Sequence, residues 1–110
     1  MELNKIKMLK LERFADHLLN VWEIKKITNI QYAFIKSDYT QVRLSFDYKY
    51  HNKWYSVICS QIENYDIVVY VHSLPLNQYV KFGYSKHARL LSWGGFTNRI
   101  NKAIRDGGLR

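Results

Sequence analysis

The sequence predicts one α+β domain, in which an antiparallel sheet packs against helices. Three observations support this class. Residues 4–22 have helical periodicity, residues 27–84 contain alternating segments separated by turn residues, and residues 86–105 return to helical spacing. The predicted order is an N-terminal helix, a three- to four-stranded antiparallel sheet with a central hairpin, and two short C-terminal helices.

The first predicted element is an amphipathic helix over residues 4–22. Its apolar residues recur at steps of three and four, which places them on one face. They are Met8, Leu11, Ala15, Leu18 and Trp22. Asn4 is a suitable N-terminal cap. We expect this face to cover the sheet; the alternative is a partner-binding helix.

A first strand follows over residues 27–36, ended by a turn over residues 37–40. Residues 41–50 then alternate strictly between polar and apolar side chains, which is typical of a half-buried strand. A tight turn joins it to a partner strand over residues 54–62. The two-residue loop is either His51-Asn52 or Asn52-Lys53, and both registers place apolar residues opposite one another. The hairpin predicts that Leu44, Phe46 and Val57 are buried.

The β-branched run 67–72 predicts a central strand, and residues 79–84 are a candidate for a short additional edge strand. A helix over residues 86–93, capped by Ser85, is expected to break at Gly94-Gly95. Thr97 or Asn98 caps the last helix, which runs to Arg105 and ends at Gly107-Gly108.

Composition is consistent with a single folded domain over residues 1–110. Apolar residues make up 47% and charged residues 24% of the chain, and 17 of its residues are Tyr, Phe or Trp. Cys59 is the only cysteine, and we find no secretion signal or membrane-length apolar run. We therefore expect a cytoplasmic protein without a membrane partner. The wealth of Lys, Asn, Ile and Tyr suggests AT-rich coding, as in low-GC bacteria, their phages and mobile elements.

The positive charge is concentrated near the C-terminus. The net charge is +8, and residues 79–110 hold seven basic residues against one acidic residue, a net of +6. A concentrated positive field attracts polyanions and supplies phosphate contacts. The alternative is a solubilising surface, which an even spread of charge would have favoured.

We find no catalytic, metal-binding or cofactor-binding pattern that predicts an enzyme. The four histidines fall on different predicted elements, without the Cys/His spacing of a zinc site. One pattern is typical of metal-dependent nucleases: Asp38 precedes an acidic-x-Lys triplet formed by Asp47 and Lys49. The triplet is common by chance and is explained by strand alternation, so a Mg²⁺-dependent nuclease is the third hypothesis.

Two sets of residues are candidates for nucleic-acid binding. Arg43, Lys49 and Trp54 share the predicted solvent-facing side of the hairpin, where an exposed ring flanked by cations can stack on a base. The alternative is a helix that covers Trp54. The second set lies on the two predicted C-terminal helices. Lys86, Arg89 and Trp93 share one face of the first helix, and Arg99, Lys102 and Arg105 share the outer face of the second helix. Its alternative is a solvated charged face.

These features predict a non-enzymatic protein that binds DNA or RNA. The rival hypothesis is a phage or mobile-element accessory or inhibitor protein that binds a nucleic-acid-processing enzyme, because Tyr, Trp and Arg also predominate at protein interfaces. The sequence leaves open the type of nucleic acid and the oligomeric state.

Overall fold

The computed structural model describes residues 10–13, 27–63, 65–74, 78–85, 87 and 93–109. These residues form a five-stranded sheet and a C-terminal helix, Trp93–Gly107, while residues 10–13 are helical. The strands are β1 (Ile27–Lys36), β2 (Thr40–Tyr50), β3 (Lys53–Ile62), β4 (Ile67–Ser73) and β5 (Gln78–Tyr84). The α+β class is thus confirmed.

Every strand pairs antiparallel with its neighbour in the chain, giving the order β1-β2-β3-β4-β5. The predicted count of three to four strands is wrong. The difference comes from the two edges: β1 pairs over most of its length, and β5 pairs with β4 over seven residues although Lys81 and Gly83 weaken its sequence pattern.

The hairpin prediction is confirmed, and the structure selects one of its two registers. Tyr50 lies opposite Lys53, so His51 and Asn52 form the loop. Both loop residues have positive φ angles, 51° and 61°, as a type I′ turn requires. Leu44, Phe46 and Val57 are all buried.

One face of the sheet carries the core. The residues of β2, β3 and β4 alternate between buried and more accessible positions, and Phe96, Ile100 and Ile104 of the C-terminal helix cover the buried side. Cys59 lies within this core, and burial raises the pKa of its thiol to about 12. The prediction of an inert thiol on the apolar face agrees with this position.

The C-terminal helix corrects two predictions. It begins at Trp93 and runs through Gly94-Gly95, which were expected to break it. Thr97 is inside the helix, where its hydroxyl donates to the Gly94 carbonyl at 3.1 Å and caps nothing. The glycines are tolerated because Trp93 and Phe96 pack against the core and anchor the first turn. The predicted helix 86–93 lies largely outside the described residues, although the Ser85 hydroxyl accepts the His87 N–H at 3.1 Å.

The helix ends at the glycines that the sequence indicated. Gly108 has a φ of +69°, the Gly108 N–H donates to the Arg105 carbonyl, and the Leu109 N–H donates to the Ile104 carbonyl. These two bonds form a Schellman motif, in which the last helical carbonyls find partners. Leu109 is buried beside the helix, so the same motif adds a side chain to the core.

Gln61 connects residues 10–13 to the sheet. Its buried side-chain oxygen accepts the Leu11 N–H at 2.9 Å, and its nitrogen donates to the Tyr65 carbonyl at 2.9 Å. Leu11 is itself part of the core, as expected for a residue on the apolar face of the predicted helix. The rest of the predicted helix 4–22 lies outside the described residues.

We expect Gly108→Ala to lower the free energy of unfolding by about 1 kcal/mol, because a Cβ atom disfavours the left-handed region. An added Cβ meets nothing within 4 Å, so the loss reports on backbone conformation alone. Urea denaturation measures it. Gly108→Asn is the matched control and should lose less, since Asn tolerates this conformation better than Ala. Equal losses would contradict the interpretation.

Candidate nucleic-acid interface

The second face of the sheet, here called the open face, is not covered by any element among the described residues. Its side chains are those that alternate with the core residues. Three cross-strand rows define its centre: Asp47, Ser56, His72 and Tyr79; Ser45, Ile58, Tyr70 and Lys81; and Arg43, Ser60, Val68 and Gly83. The strand register therefore places residues from four strands side by side.

Tyr70, His72 and Tyr79 form a ring cluster on this face. The ring centroids of His72 and Tyr79 lie 5.4 Å apart, those of Tyr70 and Tyr79 5.9 Å, and those of Tyr70 and His72 6.4 Å. These separations are typical of attractive aromatic pairs. Tyr79 is 57% exposed, so a large ring surface remains accessible at the β5 edge.

Trp54 extends the aromatic surface towards the hairpin turn. It lies opposite Lys49, whose Nζ is 5.8 Å from the indole centroid, and it is 41% exposed. One strand spacing and two residues separate it from His72, so their Cα atoms are roughly 8 Å apart. None of the described helical residues covers Trp54, in contrast to the alternative in which a helix packs over it.

Cations surround the rings. Arg43, Lys49 and Lys81 are exposed on the open face. The acidic residue in the three central rows is Asp47, and its carboxylate accepts a long 3.5 Å bond from the Asn29 side chain. The open face therefore combines aromatic rings with an excess of positive charge.

The C-terminal set lies on the opposite side of the sheet. Arg99 is half-buried, with its guanidinium carbon 4.9 Å and 5.0 Å from the ring centroids of Phe82 and Tyr84. Lys102 is exposed, and Arg105 donates to the Tyr50 hydroxyl at 3.3 Å. Lys86 and Arg89 lie outside the described residues. The helix that carries Arg99, Lys102 and Arg105 covers the core face, so these side chains do not join Arg43, Lys49 and Trp54 in one site.

Trp93 belongs to the core packing. Its ring centroid lies 6.0 Å from that of Phe46 and 6.1 Å from that of Phe96. Trp93 therefore lies on the core side of the sheet and is not part of the open face.

The two carboxylates of the nuclease pattern are far apart. Asp38 lies in the β1–β2 turn, and Asp47 lies seven residues beyond the start of β2, roughly 24 Å along the strand. Two carboxylates that share one Mg²⁺ must approach within coordination distance of it. This pair does not form the metal site that the pattern implied.

Tyr70, His72, Tyr79 and Lys81 are not among the binding residues that the sequence predicts. Tyr70 and His72 lie in the β-branched run 67–72, which predicts a central strand. They alternate with Val69 and Val71, and this alternation directs their side chains to the other face of the sheet.

Comparisons with protein-family models, with curated proteins and with solved structures find no match to this chain. Within the described part of the chain, no helix combines the length and the apolar character needed to cross a bilayer.

We expect Arg99→Ala to lower the free energy of unfolding by about 1 kcal/mol, because the guanidinium lies over the rings of Phe82 and Tyr84. Lys102→Ala, on the exposed side of the same helix, is the matched control and should leave stability within about 0.5 kcal/mol. Urea denaturation of both variants measures the difference. A neutral Arg99→Ala would show that the contact contributes nothing.

Proposed function

We propose that the protein is a non-enzymatic, cytoplasmic nucleic-acid-binding domain that takes a single strand on its open face. The observation that carries this proposal is the ring cluster beside Trp54, on a face without a covering element among the described residues. In this proposal, Arg43, Lys49 and Lys81, which are exposed on the same face, would contact phosphates.

The chemistry of the face supports stacking. Each base has an aromatic surface, and stacking on a protein ring contributes about 1–3 kcal/mol per base. Aromatic side chains on a sheet are a recurrent way to hold two or three unpaired bases. The tilted rings of Tyr70, His72 and Tyr79 offer several such surfaces, with ring centroids 5.4–6.4 Å apart.

The geometry favours single strands over duplexes. In a duplex, both faces of each base are occupied by neighbouring bases, so protein rings cannot stack on them without unpairing. Major-groove recognition instead uses an inserted helix or a two-stranded ribbon. The open face spans β2 to β5 of a five-stranded sheet, a broad surface that suits splayed bases better than a groove.

The C-terminal helix contributes in a different way. Lys102 is exposed on this helix, and Arg105 is exposed beside Tyr50. The open face is on the opposite side of the sheet. We assign these cations to long-range attraction of the polyanion, with additional phosphate contacts where a longer strand passes around the sheet edge. The same role is open to Lys86 and Arg89.

A second candidate function is binding to a nucleic-acid-processing enzyme, as an accessory or inhibitor protein from a phage or mobile element. One observation favours it: Ile35 and Ile62 flank Gln41 in a row at one end of the open face, and both are exposed. Phosphates and bases do not require this apolar end, whereas a protein partner would bury it.

We expect Tyr79→Ala and Trp54→Ala each to weaken binding to a single-stranded oligonucleotide by about 1–3 kcal/mol, a factor of roughly 5 to 150. Fluorescence anisotropy with single- and double-stranded DNA and RNA measures this effect. Tyr65→Ala is the matched control, since Tyr65 is exposed in the β3–β4 turn and outside the ring cluster. Absence of binding by the wild-type protein at low salt would favour the protein-partner hypothesis.

Salt dependence separates phosphate contacts from stacking. Arg43→Gln combined with Lys81→Gln should reduce the slope of log affinity against log salt by about 1.4, or 0.7 for each lost phosphate contact with a single strand. Trp54→Ala should leave the slope unchanged because stacking releases no counterions. If Lys102→Gln combined with Arg105→Gln reduces the slope more, the helix would be the principal phosphate surface.

A non-enzymatic protein should leave nucleic acid intact when incubated with Mg²⁺ or Mn²⁺. Gel analysis of labelled single- and double-stranded substrates is the measurement. Metal-dependent cleavage that Asp47→Ala abolishes would overturn this assignment, whereas cleavage that persists in the variant would show that it does not depend on Asp47.

A further inference from the structure

A cavity of about 480 Å³ lies between the turn of the hairpin and the end of the C-terminal helix. We call it the hairpin pocket. Its floor is apolar and consists of Tyr55, Ile104 and Leu109, each of which is at most 3% exposed. Small-molecule sites in proteins have volumes of roughly 300–1,000 Å³ and mostly apolar walls with a few polar groups. The hairpin pocket has the size and the floor of such a site.

Two hydrogen bonds hold the parts of the hairpin pocket in place. The Tyr55 hydroxyl donates to the Leu109 carbonyl at 3.3 Å, which ties the chain after the helix to β3. The Arg105 guanidinium donates to the Tyr50 hydroxyl at 3.3 Å, which joins the helix to the end of β2. This bond uses one of several N–H donors on the guanidinium, so the group can hold a ligand at the same time. The rings of Tyr50 and His51 meet edge to face, with centroids 4.2 Å apart, and form one wall.

The charges of the hairpin pocket determine the sign of the ligand that it suits. Lys53 and Arg105 each carry a full positive charge and are exposed, and none of the described lining residues is acidic. The nearby helix C-terminus contributes a partial negative charge of about half an elementary charge. That charge is smaller than the charge of either cation, so the pocket favours an anion over a cation or a neutral molecule.

We propose that the hairpin pocket binds a small aromatic carboxylate, with its ring on the apolar floor and its carboxylate on the guanidinium of Arg105. A planar ring suits walls that are themselves rings, those of Tyr50 and Tyr55. A carboxylate needs two parallel N–H donors, which the planar fork of one guanidinium supplies. Lys53 adds positive charge at the mouth. The pocket is on the core side of the sheet, so this inference does not depend on the open face or on its proposed function.

The test compares two probes that share a ring and differ in charge. They are 2-naphthoate and its neutral analogue 2-naphthalenemethanol. Titration of the full chain, followed by amide NMR, measures both the affinity and the place of binding. We expect saturable shifts at the β2–β3 turn and at residues 104–109. The carboxylate should bind roughly 10- to 150-fold more tightly than the alcohol, the range for a hydrogen bond to a charged group. Equal affinities of the two probes, or the largest shifts outside the pocket, would overturn the proposal.

Arg105→Gln identifies the group that holds the carboxylate. This variant should bind 2-naphthoate roughly 10- to 150-fold more weakly and the alcohol as the wild type does, a difference that a merely structural role would not produce. Lys102→Gln, exposed on the same helix and outside the pocket, is the matched control and should keep the wild-type affinity. The amide spectrum shows whether each variant is folded.

Lys53→Gln removes a charge from β3 and leaves the helix intact, so it tests the proposal even if Arg105→Gln does not fold. It should weaken binding of 2-naphthoate by up to about 5-fold, as expected for an exposed charge, and should not affect the alcohol. Unchanged binding of 2-naphthoate to the folded variants, or an equal loss in Lys102→Gln, would overturn the proposal. Neither outcome would affect the proposed function, because no open-face residue takes part.

Discussion

The two-residue turn at His51-Asn52 is the constraint on which the rest of the structure depends. It fixes the register of β2 against β3, and a shift by one residue would exchange the two faces of the hairpin. Both residues adopt left-handed backbone conformations that match the twist of the strands. With Tyr48, Phe46 and Leu44 directed into the core, Lys49, Trp54 and Arg43 are necessarily directed to the open face. The separate registers of β3 with β4 and of β4 with β5 then add the ring cluster to the same face.

The C-terminal helix makes the two faces chemically different. It buries Phe96, Ile100 and Ile104 against one side, and the Schellman motif at Gly108 adds Leu109 to the same core. Among the described residues, nothing of this kind covers the other side. Trp93 and Trp54 illustrate the consequence, because the first packs among core rings while the second remains 41% exposed beside a lysine. The two tryptophans thus have different environments.

The features that the sequence could predict are those that local periodicity determines. Strict alternation predicted the hairpin, and the Gly107-Gly108 pair predicted the helix end. The features it could not predict depend on contacts between distant segments. Gly94-Gly95 were expected to break a helix, because the packing of Trp93 and Phe96 that stabilises the first turn is not visible in local spacing. The alignment of Tyr70, His72 and Tyr79 with Trp54 is not predictable from the sequence, because the turn between β3 and β4 leaves the register of those two strands undetermined.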